Sequence, residues 1–423
     1  MSNSKLLLVL FFLVAGVVCA SAQKSPYGRF GYGELSSPVF SSSGAMGGIG
    51  YGLRDSKMIN ALNPASYSSV DSLSFLFDIG AYMNAAWYKD GGNKSNTFEG
   101  NIDHIGLSFR LFKGMGLSAG MVPFSSAGYS FGSQEANPIT NITETNKYTG
   151  TGGFNRAYLG LGYSPFKNFS LGANAAYFFG KTEYKTLQTL GDGDYGNQKT
   201  QGMRVNGLLV DVGVQYTIPW HDNQLTLGVT YSPKMNLNGS FNGQEITGAA
   251  TIDTTVTLGF DYPQSIGGGV TYGKGRKYLI GADVLYQQWT NARFFDGDVG
   301  EDWGWATTGS AFQDRYRIAL GGQYTPNAAG RNYVGRIRYR AGVHYSNSYY
   351  KIGSDAAGYA GTKEVGIGAG FGFPMLDNRS VVSVSFDYTT VLPDRNNLIK
   401  EQYFKVTVSY MMNELWFMKR KLD

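Results

Sequence analysis

Apolar and polar residues alternate in four well-separated stretches of this 423-residue chain. In 105–113, Ile105, Leu107, Phe109 and Leu111 alternate with Gly106, Ser108 and Arg110. In 336–346, Ile337, Tyr339, Ala341, Val343 and Tyr345 alternate with Arg336, Arg338, Arg340, Gly342, His344 and Ser346. Val382, Val384, Phe386 and Tyr388 repeat the pattern in 381–389, and Phe404, Val406, Val408 and Tyr410 in 403–410. A period of two puts the two sets on opposite faces of a strand. A soluble sandwich alternates too, but its outward face is the polar one. Charged residues are only 16% here, against about 25% in ordinary soluble domains. No stretch after the first twenty residues is long and uncharged enough for a membrane helix. Alternation, aromatic strand ends and low charge together predict an all-β transmembrane antiparallel barrel.

The chain opens with Lys5, then LLLVLFFLVAGVVC and Ala20-Ser21-Ala22. A basic start, an apolar core and a small-x-small site make an export signal, so 1–22 should be removed and Gln23 should lead the mature chain. Val18 stands where a lipoprotein site at Cys19 wants a small residue. Cys19 is the only cysteine, so no disulfide forms. Residues 23–72 keep neither helix nor strand periodicity. They carry glycines at 28, 31, 33, 44, 47, 48, 50 and 52, yet also Phe30, Tyr32, Leu35, Val39, Phe40, Met46, Ile49, Tyr51, Leu53, Met58, Ile59 and Leu62. That is too much apolar surface to leave in water. The segment is expected to be a plug inside the barrel formed by 73–415, with 416–423 a periplasmic tail. In that tail Lys419 to Lys421 suit lipid head groups, while Trp416 and Phe417 suit a protein partner.

Short turns are expected at Lys113-Gly114, Ser164 to Asn168, Pro219 to Asn223, Gly273 to Arg276, Pro326 to Tyr333 and Leu376 to Arg379. Longer polar links are expected near 89–100, 133–153, 186–203, 238–262, 292–311, 351–361 and 394–401. Their alternation predicts about fourteen strands with both barrel ends in the periplasm. Arg110, Asp211, Asp283, Arg315, Arg317, Arg336, Arg338, Arg340 and Asp387 should face the lumen, because charge facing lipid is costly. Asp283, Arg315, Arg317, Arg336, Arg338 and Arg340 are expected either to anchor the plug or to receive an anionic head group, a task suited to forked guanidinium donors.

Asn63-Pro64-Ala65 closes the glycine-rich segment, and Met121-Val122-Pro123-Phe124-Ser125 lies in the third strand. Tyr262 to Tyr272, Ile280 to Trp289, Tyr316 to Tyr324 and Arg340 to Tyr345 follow. In that order these elements resemble the FadL family of outer-membrane long-chain fatty-acid and hydrophobic-compound transporters. The resemblance implies a plugged fourteen-stranded barrel whose kinked third strand opens a side window. On this sequence the window maps to Pro123, Phe124, Ser125, Ser126, Ala127 and Gly128. A proline in a sheet belongs at a bulge or edge, which agrees. The outer links departing from the pattern are polar, and the most aromatic one carries Phe294, Phe295, Trp303 and Trp305 among Asp296, Asp298, Glu301 and Asp302.

Chemistry is poorly supplied. Three scattered histidines, His104, His221 and His344, give neither a lipase-like pair nor a metal spacing, so no enzyme, cofactor or metal is expected. A net charge of +5 does not point to nucleic acid. The first expectation is passive uptake of fatty-acid-like hydrophobic small molecules released laterally into the membrane lipids of a Gram-negative outer membrane. The alternative is a non-transporting barrel serving as a structural subunit of an outer-membrane secretion or assembly complex, with a periplasmic or outer-membrane protein partner.

Overall fold

The computed structural model describes residues 25–136, 143–190, 194–248, 250–294, 312–354, 358–377, 379–395 and 398–415. The expected leader 1–22, the mature start at Gln23, Phe295, Trp303 and Trp305 with their acidic neighbours, and the tail 416–423 lie outside the described residues.

Fourteen strands among the described residues close into one antiparallel barrel. They are β1 (Ser74–Asp90), β2 (Asn93–Phe112), β3 (Met115–Ser126 and Tyr129–Ala136), β4 (Thr143–Phe166), β5 (Phe169–Leu190), β6 (Asp194–Trp220) and β7 (Asn223–Ser232 and Met235–Thr247). β8 follows (Ala250–Tyr262 and Gln264–Lys274), then β9 (Tyr278–Gln288), β10 (Arg315–Tyr324), β11 (Arg338–Asn347), β12 (Thr362–Pro374), β13 (Val381–Pro393) and β14 (Lys400–Leu415). Each strand pairs with the next, and β14 returns to β1 from Ser74↔Leu415 to Lys89↔Lys400. β6 displays the logic of the wall. Leu208, Val210, Val212, Val214, Tyr216 and Ile218 are exposed, while Leu209, Asp211 and Gln215 are buried. An exposed apolar belt around a polar interior suits hydrocarbon outside and fixed polar contacts within.

Several of the long polar links are strand rather than loop among the described residues. Residues 89–100 are a hairpin turning at Gly91-Gly92, and β3 and β4 keep their ladder from Tyr129↔Gly150 to Ala136↔Thr143. β7 and β8 stay paired up to Thr247↔Ala250. Beyond the bilayer neither face needs to be apolar, so the alternation fades while the backbone ladder continues. Residues 333–336 also depart from the expectation. Arg336 ends a short helical turn, Tyr333–Arg336, capped by Asn332, and β11 begins only at Arg338. The Asn332 side chain takes the Val334 N–H and draws the chain out of the extended state.

Residues 25–73 run through the lumen. Phe40, Ile59 and Val70 pack with Leu76 and Val122 of the wall, and Met46, Ile49, Leu53 and Met58 with Ala319. The inner wall is thinned to receive this backbone. A Cβ added at Gly116, Gly162, Gly172, Gly213, Gly228, Gly321 or Gly342 would fall within 3 Å of the segment's atoms. At Gly47, with φ of 69°, the segment itself turns left-handed against the β10 and β11 backbone, where a side chain would fit neither the space nor the torsion.

Candidate functional site in the lumen

Side chains from many strands hold the segment. Asp283 of β9 accepts the Tyr51 N–H at 2.9 Å and the Gly50 N–H at 2.5 Å. Arg317 of β10 donates to Gly47 O at 2.8 Å. Gln215 of β6 donates to Tyr51 O and Leu53 O at 3.0 and 3.1 Å. Tyr349 donates to Gly33 O at 2.7 Å and Phe30 O at 3.0 Å. From the segment, Tyr67 donates to Asn174 Oδ1 at 3.1 Å, and Arg54 reaches Ser170 Oγ at 2.8 Å and its own Ala65 O at 3.2 Å. Burial holds the Arg54 guanidinium below its ordinary value.

Asn63, Pro64 and Ala65 form a structural knot. The Asn63 side chain accepts the Ala65 N–H and caps the 3-10 helix Pro64–Ser69. Its amide group donates to Tyr51 O at 2.8 Å and to Val214 O of β6 at 3.2 Å. Asparagine is suited to this, because one end accepts while the other donates twice.

The six charged residues singled out by sequence do not act together. Asp283 and Arg317 touch the segment. Arg315 instead braces Gln287 and Ser346, and Arg340 braces Gln323 and Ser383 within the wall. Arg336 lies over the Tyr333 ring in the turn, and Arg338 is the first residue of β11. His104 and His344 face inward against carboxylates, at 2.9 Å from Asp103 and 3.2 Å from Glu364.

The third strand is broken where Pro123 falls. Its ladder to β2 runs from Phe112↔Met115 to Ile105↔Met121 and goes no further, and its ladder to β4 shifts register between Pro123 and Ser125. The edge so freed is taken by the lumenal segment. Glu34 pairs with Ser126, Leu35 with Ser125, and Ser36 N–H donates to Phe124 O. Ser125 Oγ donates to Tyr32 O at 2.6 Å, Gly28 lies on Ala127, and Gly33, with φ of 89°, turns against the Ser126 carbonyl. Gly128 lies between the two halves of β3.

Above this break sits an aromatic chamber with Tyr32 in it. The Tyr32 ring meets those of Phe124, Phe154, Phe178, Phe260, Trp289 and Phe294 at centroid distances from 5.0 to 6.5 Å. Its hydroxyl donates to Asp261 O at 3.1 Å. Burial, then the Asp261 charge, pushes the phenol well above its usual range, so it stays a neutral donor. Among the described residues, cavities lie beside the segment. One of about 200 Å³ is lined by Glu34, Asn84, Glu99, Asp103 and Pro123 with other polar residues. One of about 90 Å³ lies between Val39, Leu62, Arg156, Arg315 and Arg317.

Sequence reasoning passed over Arg54, Asn174, Gln215 and Tyr349, and took Tyr32 only as one of many apolar groups to be covered. The inward parity of Asn174 and Gln215 was readable, but not their partners.

A family model described as BamG matches residues 1–423. A comparison with curated protein sequences finds no match. Among solved structures, the P. putida toluene transporter TodX is similar at a TM-score of 0.59 and 17% identity, over 90% of this chain and 99% of that one. A Pseudomonas aeruginosa FadL homologue is similar at 0.57 and 13%, over 90% and 99%. The monoaromatic hydrocarbon channel CymD is similar at 0.54 and 15%, over 91% and 99%. At these identities the likeness carries the fold, a FadL-like barrel.

Proposed function

The chain belongs to the BamG family, and on that premise we propose that it is a permanently plugged outer-membrane barrel serving as a fixed subunit of a secretion or assembly complex. In this reading 1–22 is the export leader, 23–72 the plug, 73–415 the barrel and 416–423 a periplasmic tail. Asn63, Pro64 and Ala65 knot the plug, and Asp283 and Arg317 anchor it. The observation that carries the reading is the row of wall glycines whose missing side chains make room for the plug, mostly for its backbone. A gate that leaves its seat would expose those glycines and break its bonds to the wall together. The two described cavities beside the segment, about 200 and 90 Å³, are smaller than the roughly 300–1,000 Å³ usual for small-ligand pockets.

The test is reconstitution beside gentle extraction. Vesicles carrying the protein should take up labelled fatty acid or toluene no faster than empty vesicles. The extracted barrel should carry a stoichiometric protein partner and no bound hydrophobic ligand. Flux well above empty vesicles, from a lone barrel with ligand bound, would overturn the reading.

A second reading, passive uptake with lateral release, is favoured by one observation. The β2–β3 ladder stops at Met121, beside Pro123 and a run of small residues. If that seam is a window, Ser126→Phe with Gly128→Phe should cut uptake about tenfold or more by filling it, with the barrel folded as before. Uptake unchanged by the pair would remove the window from the account.

A further inference from the structure

The outer faces of β14, β1 and β2 end in a row of like charge. Lys89 of β1 lies opposite Lys400 of β14 on one side and Lys94 of β2 on the other. All three are exposed, while Glu401 and Tyr403, which alternate with Lys400, are buried. The row therefore continues the outward stripe of each strand. Just below it on that face stand exposed aromatic side chains. Phe98 and Phe404 flank Ala85, and Trp87 is the next outward residue of β1 before Lys89. Large aromatics in this position mark the level of lipid head groups.

Neighbouring strands lie about 4.8 Å apart, so the three lysine stems start within roughly 10 Å of one another. Like charges directly opposite in a ladder weaken it. Among the described residues none of the three takes part in an ion pair. Asp90 and Glu401, their neighbours in the chain, belong to the opposite face by alternation. Lys363 of β12 supplies the contrast. It stands opposite Leu392 at the same rim, and its ammonium is 2.9 Å from Asp394. A rim that neutralises one lysine and aligns three others has its remaining countercharge outside the chain. Ser74 and Leu415 pair at the far end of these strands. With those two barrel ends in the periplasm, the row stands at the outer leaflet.

We propose that Lys89, Lys94 and Lys400 bind the head-group phosphates of an outer-leaflet lipid, whose acyl chains lie against Trp87, Phe98 and Phe404. A lysine ammonium meets phosphate as a point charge, and three in a row suit a head group with more than one phosphate. The site takes from the reading above only its outer-membrane placement, and it holds whether or not the barrel conducts.

The test is lipid binding to the mature protein in neutral detergent, read by native mass spectrometry with diphosphorylated lipid A as the probe. Lys89→Gln should weaken binding about fivefold, and the triple variant Lys89→Gln, Lys94→Gln, Lys400→Gln about a hundredfold, as expected for lysines acting singly on anionic lipid. Lys89→Arg should bind as the wild type does. So should Lys363→Gln, which removes the same charge from the same rim. Inorganic phosphate should not displace the lipid, since it has no chains to lay on the aromatic residues. A triple variant that held lipid A as tightly as the wild type would overturn the proposal and leave the row to an acidic protein partner. An equal loss in Lys363→Gln would overturn it as an effect of net charge alone, and ready displacement by inorganic phosphate would make the row a site for the free ion instead.

Discussion

Valine at Gly228 or Gly342 is expected to drive the plug from its seat while leaving the barrel closed. A Cβ at Gly228 would overlap the Tyr51 carbonyl, and one at Gly342 would overlap Gly47 N and the Met46 carbonyl carbon. These are backbone atoms on both sides, so no rotamer change relieves the contact. Overpacking of a tight core costs about 1–3 kcal/mol where side chains can adjust, and here they cannot. The expected signature has two parts. Proteases should cut within 25–72 at rates at least about tenfold above wild type, and planar bilayers should show a conductance that the wild type lacks. Gly268→Val is the matched control. It lies on the neighbouring strand with its nearest other atom 3.9 Å from an added Cβ, and should change neither readout. Should the valine variants fail to fold, Gly228→Ala tests the same contact with a smaller load. An alanine variant as protease-resistant and silent as wild type would mean that the plug does not depend on those glycines.

The outer surface of this protein was legible in its sequence, while much of the inner surface was not. Lipid imposes one rule on every second residue, so Tyr339 to Tyr345 and Val382 to Tyr388 announce themselves as strand faces. The lumen imposes no such rule. Gln215 and Asn174 look like any inward polar residue until Tyr51, Leu53 and Tyr67 are set beside them. Parity grouped Asp283 and Arg317 with Arg315 and Arg340, whose hydrogen bonds run to wall residues instead. A glycine in a strand reads as flexibility or a bulge. Only the placed backbone turns Gly228 and Gly342 into contact points. The pairing of Glu34 and Leu35 with β3 was hidden for a similar reason, since two residues carry no period. The polar strand extensions read as loops because sequence reports the environment of side chains, whereas the ladder is made by the backbone.

Tyr32→Ala should loosen the same plug by emptying its aromatic chamber, at an expected loss of about 3–5 kcal/mol, as for other buried aromatics cut to alanine. Tyr32 is 1% exposed and is ringed by six aromatic side chains, so little can collapse into the space it leaves. Tyr32→Phe keeps the ring and gives up only the hydroxyl's bond to Asp261 O, at about 1 kcal/mol. The pair separates packing from hydrogen bonding. Exchange at the Gly33 and Ser36 amides, both bonded on either side of the chamber, should rise about a hundredfold or more in the alanine variant and much less in the phenylalanine one. An apolar cavity made by truncation stays dry and takes up a small aromatic molecule. Toluene or benzene added to Tyr32→Ala should therefore slow the exchange again, and should leave the wild type unaffected because its own phenol already fills the site. If the hydrocarbon tightened the wild type equally, the chamber would have room for a guest beside Tyr32, and the closed-barrel reading would give way to that of a conduit.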